Sequence, residues 1–212
     1  MTTKKWLKKY TELRFLNDTL KDRYLHLGSP NEWEDKNDFE AIRIFSEGKM
    51  QDFPVGVTCL TRAPDRFHFW HVFGKRELGV CLWFCEEALL SDIEKDESLI
   101  LGAVNYPKTR ELSKTSLNDA PFTKREQYGD EREFRVIRIA TPGNTPINKF
   151  RFSPSSLRKI YLNPWLSPAE VKKHKRELAQ QITADLNHVK VLQNQSLLNT
   201  KWIEALSHAV NQ

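Results

Sequence analysis

The chain has 212 residues, of which 39% are hydrophobic and 29% charged, with six Trp and a formal net charge of +5. This is the composition of a globular chain and excludes disordered, collagen-like and disulfide-stapled classes. The most apolar run, residues 79–85, is far shorter than the roughly 20 residues a spanning helix needs, and the opening residues lack the apolar core of a signal peptide.

The length predicts a single domain over 1–212, with a core at about 20–165 and a helical segment over 167–212. The expected compartment is the cytoplasm. Cys59, Cys81 and Cys85 are odd in number and two lie in one strand-like run, which predicts reduced thiols. Charge is unevenly placed: residues 1–106 hold 15 basic against 18 acidic residues, and residues 107–212 hold 18 against 10. A basic C-terminal half attracts polyanions, although Lys and Arg also solvate the outer faces of helices.

In chain order, Trp6, Leu7, Tyr10, Leu13, Leu16 and Leu20 fall at helical spacing and predict an amphipathic helix or helix pair over 6–20. Residues 24–27 read as a short strand stopped by Gly28-Ser29-Pro30, and 31–38 as a polar loop holding Trp33. Strands follow at 55–60 and 79–84, with an aromatic short helix or turn at 67–73 between them and a helix at 86–93. A brief strand is expected at 104–106 and a loop or frayed helix at 109–120. Residues 131–139 alternate, so that Glu131, Glu133, Arg135, Ile137 and Ile139 share one face and Arg132, Phe134, Val136 and Arg138 the other. Apolar groups on both faces predict an interior strand. A turn is expected at 141–146 and a strand at 159–162. Ser167, Pro168 and Glu170 form a capping-box pattern before a helix reaching about 187, then a strand at 189–192 and a helix at 201–210. The fold class is α+β, with a mixed or mainly antiparallel central sheet and flanking helices.

The face carrying Glu131, Glu133 and Arg135 is the leading candidate site. A carboxylate near the core stabilises a developing cation or acts as a base, and a guanidinium holds a phosphate or carboxylate through two bonds. The competing reading is a structural ion pair at a sheet end. His68 and His71 are three residues apart in an aromatic run, without a carboxylate or thiol at supporting spacing, so no metal site is expected. Phe69 and Trp70 read as core, or as an aromatic face for a base or nicotinamide ring. Lys124 and Arg125 read as a phosphate grip or an exposed basic turn. No Gly-rich phosphate loop, nucleophile elbow or His-Glu-x-x-His pattern is present.

Five short motifs recur in a familiar order: Ser29-Pro30 with Trp33-Glu34-Asp35; Phe69 to Phe73 followed by Gly79-Val80; Val104-Asn105-Tyr106; Lys124-Arg125 with Glu131 to Arg135; and Ile160 to Pro164. Together they resemble the bacterial family known as domain of unknown function 2971, over residues 20–178. That family's pattern usually has Asn-Asp-Pro or Trp-Asp-Pro before its first acidic residue, from which Glu34-Asp35-Lys36 departs. The resemblance implies a part in stress or in conflict between bacteria and phage.

Three readings follow. In the first, Trp33, Asp35, Trp70, His71, Lys124, Arg125, Glu131, Glu133 and Arg135 form the site of an intracellular effector acting on a nucleotide. Its sharpest form resembles an ADP-ribosyltransferase-like pocket that uses NAD, with aromatics against nicotinamide and Glu133 stabilising the ribosyl oxocarbenium ion. In the second, Lys124, Arg125, Arg158, Lys159, Lys172, Lys173, Lys175 and Arg176 bind RNA or DNA, as a non-catalytic or nuclease-like module. The third is a protein-interaction domain without chemistry.

Overall fold

A computed structural model describes residues 5–49, 55–74, 78–140, 148–197 and 199–210. The architecture is α+β. Its main sheet has seven strands: β1 (Trp6–Glu12), β3 (Val55–Thr61), β4 (Gly79–Cys85), β5 (Leu99–Ala103), β6 (Glu133–Ile139), β8 (Leu157–Leu162) and β9 (Lys190–Gln193). They lie in the order β5-β6-β3-β1-β4-β8-β9, antiparallel throughout except for the parallel pair β8–β9. A small second sheet pairs β2 (Tyr24–His26) with β7 (Lys149–Arg151).

The two faces of the main sheet carry different cores. Leu7, Phe84, Leu60 and Phe134 point to one face, where they meet Leu16 and Leu20 of α1 (Leu16–Asp22), Leu89 and Ile93 of α4 (Glu86–Ile93) and Leu178 of α5 (Pro168–Gln181). On the other face Val57 and Ile137 pack against Ile42 of α2 (Lys36–Gly48), and Tyr10 and Cys81 against Phe69 and Trp70 of α3 (Phe67–Val72). This is the alternation that a period of two imposes on neighbouring strands. β1 and β4 are paired over seven residues, whereas β1 and β3 meet in register only at Lys8 and Thr61. The sheet is therefore two ladders joined at one point, and the Lys9 ammonium crosses the join to donate to the Cys59 carbonyl at 3.2 Å.

The helix expected over 6–20 is corrected. Its first half is β1, near the middle of the sheet, and only its second half is helical. A strand buried on both faces shows no clean alternation, so its apolar residues imitate helical spacing. The polar loop expected over 31–38 gives way at Lys36 to α2, a helix the sequence reading omitted; Asp35 caps it by accepting from the Asn37 amide at 3.0 Å. The strand expected at 104–106 ends at Ala103, and Asn105 makes only an isolated bridge to Thr123. Residues 109–114 form a 3-10 helix, Thr109–Lys114. The capping box of α5 is present, but the helix stops at Gln181 instead of about 187 and is followed by a 3-10 turn, Ala184–Leu186. The turn expected at 141–146 lies outside the described residues. The last helix, α6 (Thr200–Val210), buries no side chain. Among the described residues no helix is long and apolar enough to cross a membrane.

Candidate active site

β6 is interior, between β5 and β3, and enters the sheet from a 3-10 turn, Glu126–Glu131. Arg132, between turn and strand, has φ 44°. This left-handed residue breaks the strict alternation expected over 131–139, yet Glu131 and Glu133 still converge on one partner. The Lys124 ammonium donates to Glu131 Oε2 at 2.7 Å and to Glu133 Oε2 at 3.3 Å, and lies 3.4 Å from Asp38 Oδ2.

Arg135, two residues along β6, is fully buried. Its Nε donates to Glu133 Oε1 at 2.8 Å, one Nη to Asp38 Oδ1 at 2.5 Å, and the other to the Pro121 carbonyl at 2.9 Å. The Trp33 ring lies 5.3 Å from the guanidinium carbon. The Tyr106 hydroxyl accepts from the Glu133 amide at 2.7 Å and fixes the start of the strand.

Asp38, Glu131, Glu133, Lys124 and Arg135 thus form one buried cluster of three carboxylates and two cations, with one net negative charge when all are ionised. Burial alone would raise the Glu133 carboxyl, but the Arg135 guanidinium and Lys124 ammonium outweigh it and hold it down at about 2. Burial likewise works against the Lys124 ammonium, and Glu133 and Asp38 overcome it, keeping the lysine charged. Glu131 shifts the other way: burial raises its carboxyl, Lys124 opposes, and the neighbouring Glu133 and Asp38 charges add to the rise. Of the two glutamates, Glu133 is therefore locked as an anion while Glu131 takes up a proton more readily.

The cluster is not sealed. A cavity of about 900 Å³ lies beside it, with Asp38 and Lys124 in its wall, Asp35 and Arg125 at the same side, and Ile44, Leu112 and Leu117 supplying apolar lining. Asp35 binds Arg125 at 2.9 Å, and Arg125 also donates to the Tyr128 hydroxyl at 3.0 Å. An apolar hollow with a few convergent charged groups is the usual form of a small-molecule site.

Seven of the nine expected site residues come together here: Trp33, Asp35, Lys124, Arg125, Glu131, Glu133 and Arg135. Trp70 and His71 do not. Of the two readings of Trp70, core or an aromatic face for a ligand, the structure shows the first: its ring is fully buried and its indole N–H donates to Asp65 Oδ1 at 3.1 Å. Asp65 also accepts from the Tyr10 hydroxyl at 2.8 Å and the Asn194 amide at 2.7 Å, so it knits α3 to β1 and to the chain beyond β9. His71 packs between Phe67 and Trp165, with ring centroids 4.7 and 4.8 Å away. Cys59 lies opposite Arg135 on β3, and burial pushes its thiol up, away from the reactive thiolate form. Sequence reasoning missed Asp38 and Tyr106. The signal for Asp38 was its place one turn into a helix capped by Asp35, where acids are favoured. Tyr106 was in a quoted motif but had no assigned role. No group of three or more His, Cys, Asp or Glu among the described residues is placed to hold a metal ion.

The basic residues gathered for nucleic-acid binding do not form one surface. Lys124 is committed to three carboxylates on one face of the sheet, while α5, which bears Lys172, Lys173, Lys175 and Arg176, packs Leu178 into the core of the other face.

No family model matches the chain, and no curated protein does. Among solved structures, Thermus sp. 2.9 DarT in complex with carba-NAD+ is similar at 8% identity and a TM-score of 0.47, covering 92% of this chain and 98% of that one. A likeness of that size transfers no chemistry, which has to come from the site itself.

Proposed function

We propose that the chain is an enzyme that consumes NAD and transfers its ADP-ribosyl group. The observation that carries this reading is the ionised Glu133 in a buried cluster of net negative charge, beside a cavity that Lys124 and Asp38 enter. Breaking the bond between ribose C1′ and the nicotinamide nitrogen sends the electron pair to nicotinamide and leaves an oxocarbenium ion. An acceptor hydroxyl or amine then bonds to C1′ and releases its proton. A fixed anion aimed at the developing cation is the largest single aid a site gives such a step. Arg135 and Lys124 hold that anion in place, with the Trp33 ring beside Arg135, and Glu131, the more readily protonated of the two glutamates, takes the acceptor's proton.

The test is nicotinamide release from NAD by purified protein, with candidate protein and nucleic-acid acceptors present. Glu133→Gln, which keeps the shape and removes the charge, is expected to lower the rate by about 10²–10³ with the fold intact. NAD left untouched by the wild type under these conditions sinks the reading. We further read the chain as a cytoplasmic member of the domain of unknown function 2971 family that acts in stress or phage conflict, on the strength of the five ordered motifs. Plaque counts on cells expressing wild type or Glu133→Gln test that role, with protection expected from the wild type alone.

A further inference from the structure

A second hollow, about 480 Å³, opens at the start of β1 and is lined by Lys5, Trp6, Lys8, Arg62 and Glu86. Three basic residues and one carboxylate line it. Arg62 pairs with Glu86 through Nη at 3.0 Å and Nε at 3.3 Å, which leaves its second terminal nitrogen outside the pair. Its guanidinium also rests 4.6 Å from the Phe134 ring centroid, so both partners hold it in one orientation. Lys8 is buried, donates to the Ala63 carbonyl and lies 4.8 Å from the Trp83 ring centroid. Lys5 is exposed and its ammonium has no partner among the described residues. An oriented guanidinium, the exposed Lys5 ammonium and an indole wall suit a multiply charged anion.

The sheet relates this hollow to the carboxylate cluster. Lys8 is in register with Thr61, and Thr61 with Glu133, so the three stand in one row across β1, β3 and β6. With strands about 4.8 Å apart, Lys8 and Glu133 are separated by about 10 Å along that row. This is the scale on which a ribose and the diphosphate attached to its 5′ carbon extend.

We propose that the hollow lined by Lys5, Trp6, Lys8 and Arg62 binds the diphosphate of a nucleotide. Its place in the reaction, about 10 Å from Glu133 along the row, rests on the function proposed above; the binding itself does not. The cavity beside Lys124 is then left for the other end of the substrate or for the acceptor.

The experiment is calorimetric titration of the full chain with ADP, inorganic pyrophosphate and adenosine, at low salt and at 0.3 M NaCl. The variants are Lys5→Gln, at an exposed position, and the double variant Arg62→Gln with Glu86→Gln, which removes both members of the ion pair and leaves neither charge alone. ADP is expected to bind more tightly than pyrophosphate, adenosine to give no heat, and salt to weaken both anions. Lys5→Gln should weaken ADP about tenfold and the double variant more, because each removes a charge-assisted contact. ADP affinity unchanged in both variants overturns the proposal. Pyrophosphate binding as tightly as ADP overturns the nucleotide as its source. Loss of NAD consumption in Glu133→Gln with ADP affinity retained supports both assignments. A wild type that binds ADP in this hollow but leaves NAD untouched upholds the pocket and refutes the reaction.

Discussion

At the scale of single residues, Arg135 is the most consequential side chain of the site. It has no exposed surface, and it donates four hydrogen bonds, two to Glu133, one to Asp38 and one to the Pro121 carbonyl. Removing one partner of a buried pair leaves the other charges uncompensated and costs about 3–5 kcal/mol. Arg135→Leu is therefore expected to lower stability by that amount in denaturant unfolding; a change below about 1 kcal/mol would contradict the cluster as described. Glu133 sets the response to acid. Its carboxyl lies at about 2 in the folded chain against an ordinary 4.5, so the unfolded chain binds the proton first. The stabilisation it provides is complete above about pH 4.5 and disappears as pH falls toward 2. Glu131, shifted upward, acts in the opposite direction and favours the fold when protonated. Urea midpoints of the wild type are expected to fall steeply between pH 4.5 and 2, and those of Glu133→Gln to fall less. Equal slopes would show that the anion is not held as the geometry states.

Among elements, α2 contributes most to the site that local sequence did not show. It brings Asp38 to Arg135 across 97 positions of chain, and no window of sequence contains that meeting. β6 was legible because Glu133, Arg135 and Ile137 alternate with Phe134, Val136 and Arg138, and β4, α3, α4 and the start of α5 were legible from apolar runs and caps. β1 was not. Trp6, Leu7 and Tyr10 fit a helical stripe as well as a strand buried on both sides, and only pairing with β4 and β3 decides between them. Trp70 was read as core and also as a site residue for a related reason: pattern identifies a large aromatic as worth burying, but not which cluster buries it. The N-terminus of α2 gives a test at this scale. Asp35 caps the helix and also holds Arg125, so Asp35→Ala should cost about 1 kcal/mol and shift Asp38 away from Arg135. Asp35→Asn, which retains the cap, should recover most of the loss in thermal unfolding. No difference between the two variants would remove the cap from the account.

For the whole molecule, the arrangement is two ladders that touch at Lys8 and Thr61, with one hollow beside the carboxylate cluster and the other at the start of β1. Such a join lets one half position the carboxylates while the other presents lysines. The leading site was recognisable before the fold because its charges are close in sequence; the second hollow was not, because Lys5, Arg62 and Glu86 are brought together only by the sheet.

α6 stands apart from all of this. Trp202, Ile203, Leu206 and Val210 are each at least 44% exposed, and an eleven-residue helix is shorter than water normally supports by itself. The cooperative unit is accordingly expected to close at β9, with the final segment adding little to its stability. A chain cut after residue 198 should melt at the same temperature as the full one and aggregate less on heating, whereas a drop of several degrees in calorimetry would mean that this segment belongs to the folded whole after all.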